Sequence, residues 1–308
     1  MNRRVPPPSA KPGRLSVYRR LTPRDRLLLS WLAEHYLLST DQIHRALFDA
    51  RRTAQQRLTI LYRLQVLERF TFSSPTGMFE TPYLYTLGPV GLRLHPNAYH
   101  DPDNLGLKAP RSSVERADRI AHSHTLHHLL GVNQFFIDLH AHTRTHPATA
   151  LRRWWSEQHT TAFYHRARIF PDGHGVWHAD GHTVGYFLEH DRGTENIRRV
   201  VSKLRGYERL ARHSIAFPVL LWVPSHRREA SLLNALDGAQ FPMPIAVAVH
   251  CHDPAAAIWT LTTDPLRRHA LHQLPSDPGP AGYPTPDNDD DGADDDGADE
   301  GDVPGDVT

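Results

Sequence analysis

PDGHGVWHADGHTVGYFLEHDRGTENIRRVVSKLRGY, residues 171–207, reads as a strand, a tight turn, a second strand and a helix. Along residues 183–191 successive side chains alternate between faces, so Glu189 and Asp191 project from the same face, roughly 6 to 7 Å apart along the strand. Asp172 stands early in the first strand. A hairpin through His178-Ala-Asp-Gly181 folds that strand back and brings Asp172 beside Glu189, which makes three carboxylates on one edge. Such a cluster repels itself unless a cation binds. Oxygen-only ligands suit Mg²⁺ or Mn²⁺, which in phosphodiester cleavage activate a water and neutralise the transition state.

The helix that follows adds a fourth group. Thr194 is placed to cap it, Glu195 in its first turn complements the dipole, and Ile197, Val200, Val201, Leu204 and Ala211 form an apolar stripe. Lys203 and Tyr207 are four residues apart and share a face. The chain has only three lysines, Lys11, Lys108 and Lys203, against 32 arginines, so a lysine stands out where a generic positive charge would be arginine. A compact ammonium fits close to a scissile phosphate where a guanidinium fork does not. The plain alternative is a solvated helix residue.

With 308 residues, 39% of them hydrophobic, the chain has room for two domains with cores of their own. No apolar run reaches transmembrane length and no apolar signal region follows Met-Asn-Arg-Arg, so a cytoplasmic protein without a membrane partner is expected. The single cysteine, Cys251, excludes a disulfide framework and a cysteine-based zinc site. Charge is segregated. Twelve of the 34 acidic side chains fall in residues 277–308, which hold no Lys or Arg, leaving 22 acids against all 35 basic residues in 1–276. A basic body suggests a polyanion ligand, and the acidic tail either competes for that surface as a nucleic-acid mimic or keeps the chain soluble. Among the 23 histidines, His122, His124, His127 and His128 suggest metal ligation, yet no His-Glu-x-x-His pattern accompanies them. They read as ordinary helix-surface and core histidines.

Residues 1–15 read as a flexible basic arm. Thr22-Pro23-Arg-Asp25 opens a helix to about His35, Ser39-Thr40-Asp41 opens a second, and a third is expected from Thr53 to about Glu68. Two β-prone runs, Arg69–Ser73 and Tyr83–Leu87, are joined by Ser-Pro-Thr-Gly. Three helices and a hairpin make a winged helix-turn-helix over residues 16–94. Its third helix would be the reader of double-stranded DNA, with Arg51, Arg52, Gln55, Gln56, Thr59 and Arg63 suited to phosphates and base edges. The same fold also serves as a protein-docking module. Residues 95–112 read as a linker. A second domain over 113–274 is expected to run as a long helix from Ser113 to about His142, strand signals at Leu151–Phe163, the hairpin and helix of 171–207, a buried strand at Ile215–Val223, a helix from Arg227 to Leu236 and a strand at Ile245–His250. Residues 275–308 read as a disordered acidic tail. The fold class expected is therefore α+β, a winged helix-turn-helix followed by an α/β domain, with disordered termini.

That order, with Pro171-Asp172 on one strand and Glu189-x-Asp191 on the next, resembles the PD-(D/E)XK nuclease superfamily, the restriction-endonuclease-like fold. More closely, Pro171-Asp172-Gly173, Leu188-Glu-His-Asp-Arg-Gly-Thr-Glu195, Lys203 and Tyr207 behind a winged helix are similar to the bacterial replication-relaxation proteins. The resemblance implies a DNA-associated protein of plasmids and other mobile elements, with replication or transfer proteins as partners. The superfamily pattern carries a lysine two residues after the acid. Here that place is Asp191, and Lys203 on the following helix would stand in for it.

Two functions follow as expectations. In one, the winged helix locates a site while Asp172, Glu189 and Asp191 hold Mg²⁺ or Mn²⁺ and Lys203 stabilises the phosphorane, with Glu157 as an extra ligand or base. In the other, the nuclease-like fold is a DNA clamp or protein platform without cleavage, and Glu189 and Asp191 simply pair with Arg192, Arg198 or Arg199.

Overall fold

Thr22 closes the first helix, α1 (Pro23–His35), in both directions: the Asp25 N–H donates to its hydroxyl at 3.2 Å and its own N–H donates to the Asp25 carboxylate at 2.7 Å. Ser39 and Gln42 repeat the device for α2 (Thr40–Leu47). The computed structural model describes residues 17–71, 82–99, 110–280 and 282–283. The expected basic arm, the Ser74–Gly77 turn and most of the acidic tail lie outside them.

The third helix, α3 (Arg51–Arg63), starts two residues earlier than expected and stops well short of Glu68. Gln65 adopts a left-handed φ of 58°, and the N–H groups of Gln65 and Val66 donate back to the Tyr62 and Leu61 carbonyls. This helix-ending motif satisfies the last carbonyls and turns the chain into β2 (Leu67–Phe70), ahead of the predicted Arg69–Ser73. β2 pairs antiparallel with β3 (Leu84–Leu87), and β3 with the short β1 (Leu38–Ser39), in the order β1-β3-β2. These are the three helices and hairpin that the sequence called for. A further helix, α4 (Pro89–Leu94), packs behind them.

The expected single helix from Ser113 is two, α5 (Ser113–His122) and α6 (Leu126–Thr145). Ser123 breaks it: the residue is extended, and its hydroxyl accepts the Thr125 N–H at 3.1 Å, a local bond that competes with the helix ladder. α5 packs on the N-terminal unit, with Ile120 buried against Tyr36, Leu37 and Leu84.

β4 (Ala150–Ser156) ends where Ser156 caps α7 (Glu157–Phe163), so half of the predicted Leu151–Phe163 strand is helical. β5 (Gly173–Ala179) and β6 (His182–His190) form the expected hairpin. Their two-residue turn places Asp180 at φ 50° and Gly181 at φ 76°, the pair of left-handed residues whose twist matches the flanking strands. α8 (Ile197–His213) is capped by Asn196 rather than Thr194, which leaves Glu195 just outside the first turn. β7 (Val219–Val223), α9 (His226–Leu236) and β8 (Ile245–Val249) follow near their predicted places. The hairpin β9 (Trp259–Leu261) and β10 (Asp264–His269) was not anticipated.

The seven strands stand in the order β10-β9-β8-β7-β6-β5-β4, parallel only at β6-β7-β8. Alternation fills two cores. Tyr186, Leu188, Leu220 and Trp222 face α6. Phe187, Val219, Leu221 and Val223 face α8 and α9. The chain is α+β, and among the described residues no helix is long and apolar enough to cross a membrane. Residues beyond 274, expected to be tail, are held for a further turn: Ser276 bonds to Gly185, Asp277 bridges Ala216, and the Tyr283 hydroxyl donates to the Thr183 carbonyl at 2.5 Å.

Polar contacts also fasten the two halves. The buried Asn133 amide on α6 donates to the Leu37 carbonyl at 2.8 Å and the His35 carbonyl at 3.3 Å, and Gln42 donates to the Leu130 carbonyl at 2.9 Å. Replacing Asn133 with Leu keeps the bulk and removes the amide donor from the Leu37 carbonyl, while the His35 carbonyl keeps the Leu37 N–H. We expect a loss of about 1–3 kcal/mol in urea unfolding.

Candidate active site

The last registered pair of the β5-β6 hairpin is Gly173 opposite Leu188, and the Asp172 N–H extends the ladder to the Leu188 carbonyl at 2.9 Å. Asp172 and Glu189 therefore stand across from one another at the strand ends. α8 closes over Glu189 as its helical spacing requires. The Tyr207 hydroxyl donates to Glu189 Oε1 at 2.5 Å, and Lys203 Nζ lies 3.6 Å from Glu189 Oε2 and 3.1 Å from Glu195 Oε2. Lys203 and Tyr207 do share a face.

Burial dominates the electrostatics. The Glu189 side chain is 8% exposed, and its carboxyl is pushed up to about 8, first by loss of water and then by the Asp172 charge, against the pull of Lys203 and Tyr207. Glu157, the first residue of α7, is raised for the same two reasons, opposed by His128 and Lys203. Burial and the nearby Glu189 carboxyl hold the Tyr207 phenol protonated. Asp172 has a donor on each oxygen: His128 Nε2 stands 3.0 Å from Oδ1, and the His190 N–H donates to Oδ2 at 2.6 Å.

His128 is the member that sequence reasoning passed over, taking it for an ordinary helix histidine. No local spacing marks it; only the packing of α6 against the start of β5 puts it there. Burial pulls its pKa down, but the hydrogen bond and charge of Asp172, with Glu157, outweigh burial and Arg192 and leave it raised. His190 next to it is pressed down to about 4 by burial, His250 and His128. One imidazole beside Asp172 is thus poised to carry a proton and the other stays neutral.

Asp191 does not join the group. It faces the α8 and α9 side as alternation predicts, but Arg228 on α9 donates to it at 2.5 Å and the Gly193 N–H at 2.6 Å. Arg228, rather than the expected Arg192, Arg198 or Arg199, is its partner. Among the described residues no three histidine, cysteine or acidic side chains are already arranged to hold a metal ion. The gathered acids are Asp172, Glu189 and Glu157. Asp172 and Glu157 line a cleft of about 390 Å³, walled also by His128, Asn133, Gln158 and Phe170. Arg192, Arg198 and Arg199 are exposed in the segment between β6 and Lys203.

On α3, Arg51, Arg52, Gln55, Gln56 and Arg63 are exposed. Thr59 is half-buried and its hydroxyl donates to the Gln55 carbonyl at 2.8 Å, while Arg51 lies 3.0 Å from Asp41. Arg57, inside the same run, turns inward to pair with the buried Asp25.

The raised Glu189 carboxyl has a signature in stability. Its contribution is full below the ordinary carboxylate range and is lost as pH rises through about 8, because only the folded state holds the proton there. Without divalent ions, Glu189→Gln should melt progressively higher than the wild type as pH is raised from 5 to about 8. Parallel melting curves for the two proteins across that range would contradict the buried, protonated carboxyl.

Residues 29–220, more than half of the chain, match the family model described as Replication-relaxation, and the chain belongs to that family. Membership supports a replication-related role. No curated protein and no solved structure matches the chain.

Proposed function

We propose that this replication-relaxation protein binds double-stranded DNA in the replication or transfer of a plasmid or other mobile element, and that its Asp172–Glu189 centre cuts or nicks a strand with Mg²⁺ or Mn²⁺. The observation that carries the reading is the pairing of two carboxylates, one of them buried and forced to keep its proton, beneath the one lysine on the neighbouring helix. The antiparallel strands β4, β5 and β6, then α8, then β7 parallel to β6, resemble the order expected of a PD-(D/E)XK nuclease and support this reading.

The donor set fits a hard divalent cation, because Asp172, Glu189 and Glu157 offer only oxygen and their crowding is what such an ion relieves. The bound ion would polarise the phosphate and ease deprotonation of water. His128 and the His190 N–H hold the Asp172 carboxylate in one orientation. Tyr207 fixes Glu189. Lys203 would present its ammonium to the phosphoryl oxygens as charge builds on them.

A second reading, a DNA-binding accessory factor without cleavage, is favoured by the commitment of Asp191 to Arg228. It removes one of the three acids expected at the metal.

Plasmid nicking separates the two. With Mg²⁺ or Mn²⁺ the wild type should relax supercoiled DNA, and Asp172→Ala or Glu189→Ala should reduce the rate by about a hundred-fold or more. No relaxation by the wild type with either ion leaves the accessory reading, and equal relaxation by the variants exposes a contaminant. For α3, replacing Arg51, Arg52 and Arg63 together with Ala should weaken duplex binding and lower the salt slope by about two to three. An unchanged slope would remove α3 as the DNA-binding element.

A further inference from the structure

Phe170 is 63% exposed, two residues ahead of Asp172. The strap that carries it is fixed on both sides: Arg168 turns the chain with a left-handed φ of 52°, Ile169 is buried against the α8 core, and Pro171 is buried ahead of Asp172. The backbone holds the ring outward. A phenylalanine left in water forgoes about 1.5–3 kcal/mol of burial, which the fold gives up here while burying the residue on either side.

Its surroundings narrow what can cover it. Phe170 shares the cleft with Asp172, Glu157, His128 and Gln158, and its strap, His165-Arg-Ala-Arg-Ile-Phe170, exposes Arg166 and Arg168. An aromatic face set among arginines is the pattern of single-strand platforms, in which bases stack and phosphates meet the cations. The acids that line the cleft repel a phosphate, so the neutral base belongs on the ring and the phosphates on the exposed arginines of the strap. A cleft of about 390 Å³ falls within the range that takes a nucleotide-sized ligand.

We infer that Phe170 is a stacking platform for an unpaired nucleobase of a DNA strand led to the Asp172 end of the cleft. The inference rests on the reading of this protein as one that acts on DNA, and deepens it: the strand would enter unpaired, or with a base turned out of the helix.

The test uses the full chain in EDTA, where no cutting is needed for a signal. The probes are a fluorescein-labelled single-stranded oligonucleotide, its duplex, and the same strand with abasic sites. Phe170→Ala should weaken the single strand by about ten-fold and the duplex and abasic strand by much less. Phe170→Trp should keep the affinity, and its added fluorescence over the wild type should be quenched by the single strand. Equal loss on all three probes, no loss on any, or unquenched fluorescence would overturn the proposal, as would a wild type that ignores the single strand. A wild type that binds the single strand yet never nicks plasmid would retire the cutting reading and leave the platform standing.

Discussion

The register of one hairpin decides where the acids go. Asp180 and Gly181, both left-handed, close a two-residue turn that admits one pairing of β5 with β6. A slip of one residue would send Phe187 and Glu189 to the α6 side and Tyr186 and Leu188 to the α8 side, emptying two cores at once. The packing that secures Tyr186, Phe187 and Leu188 therefore also secures Glu189 opposite Asp172. The site has little freedom to drift, because the sheet cannot move it without unpacking both faces.

Holding Glu189 there is costly, and the structure shows how the cost is spread. Tyr207 donates to one carboxylate oxygen and Lys203 stands by the other, yet burial and Asp172 still leave the group protonated at neutral pH. A site optimised for stability alone would place an apolar residue in that position. Lys203 is shared between Glu189 and Glu195, so the ammonium has a second partner when the first is withdrawn. In the proposed function, proton, ammonium and cation would compete for the same oxygens, and binding a divalent ion would release a proton from the site.

Local signals in the sequence reached far but stopped at contacts between distant segments. Alternation in residues 183–191, the Asp-Gly turn and the spacing of Lys203 and Tyr207 each depend on neighbours within a few positions, and each placed its residues where the structure has them. The helix break at Ser123 and the switch from strand to helix at Ser156 each depend on a single hydroxyl choosing a backbone N–H, which composition does not reveal. His128 and Arg228 were missed for another reason. One comes from α6 and the other from α9, and only the assembled sheet brings the first to Asp172 and the second to Asp191. The Gln65 turn that shortens α3 is a further case, since a left-handed glutamine carries none of the glycine signal that marks such an ending.

α6 ties the two halves into one frame. Near its start His128 touches Asp172; further along, Leu130 and Asn133 take up Gln42 and the Leu37 carbonyl; then Asp138 pairs with Arg45, and Arg144 reaches Asp49 and the Phe48 carbonyl. From His128 to Arg144 the helix rises about 24 Å, so α2 is fastened along most of its length to the element that orients the Asp172 carboxylate. α3 follows α2 after a three-residue turn and inherits that anchoring. In the proposed function the consequence is geometric. Duplex held by α3 and a strand delivered to Asp172 would be related by a rigid helix rather than a tether, so any cut would fall at a set offset from the bound duplex. A protein that used the same frame without cutting would hold a duplex and an unpaired strand at that fixed separation, which is the geometry of a replication fork's edge.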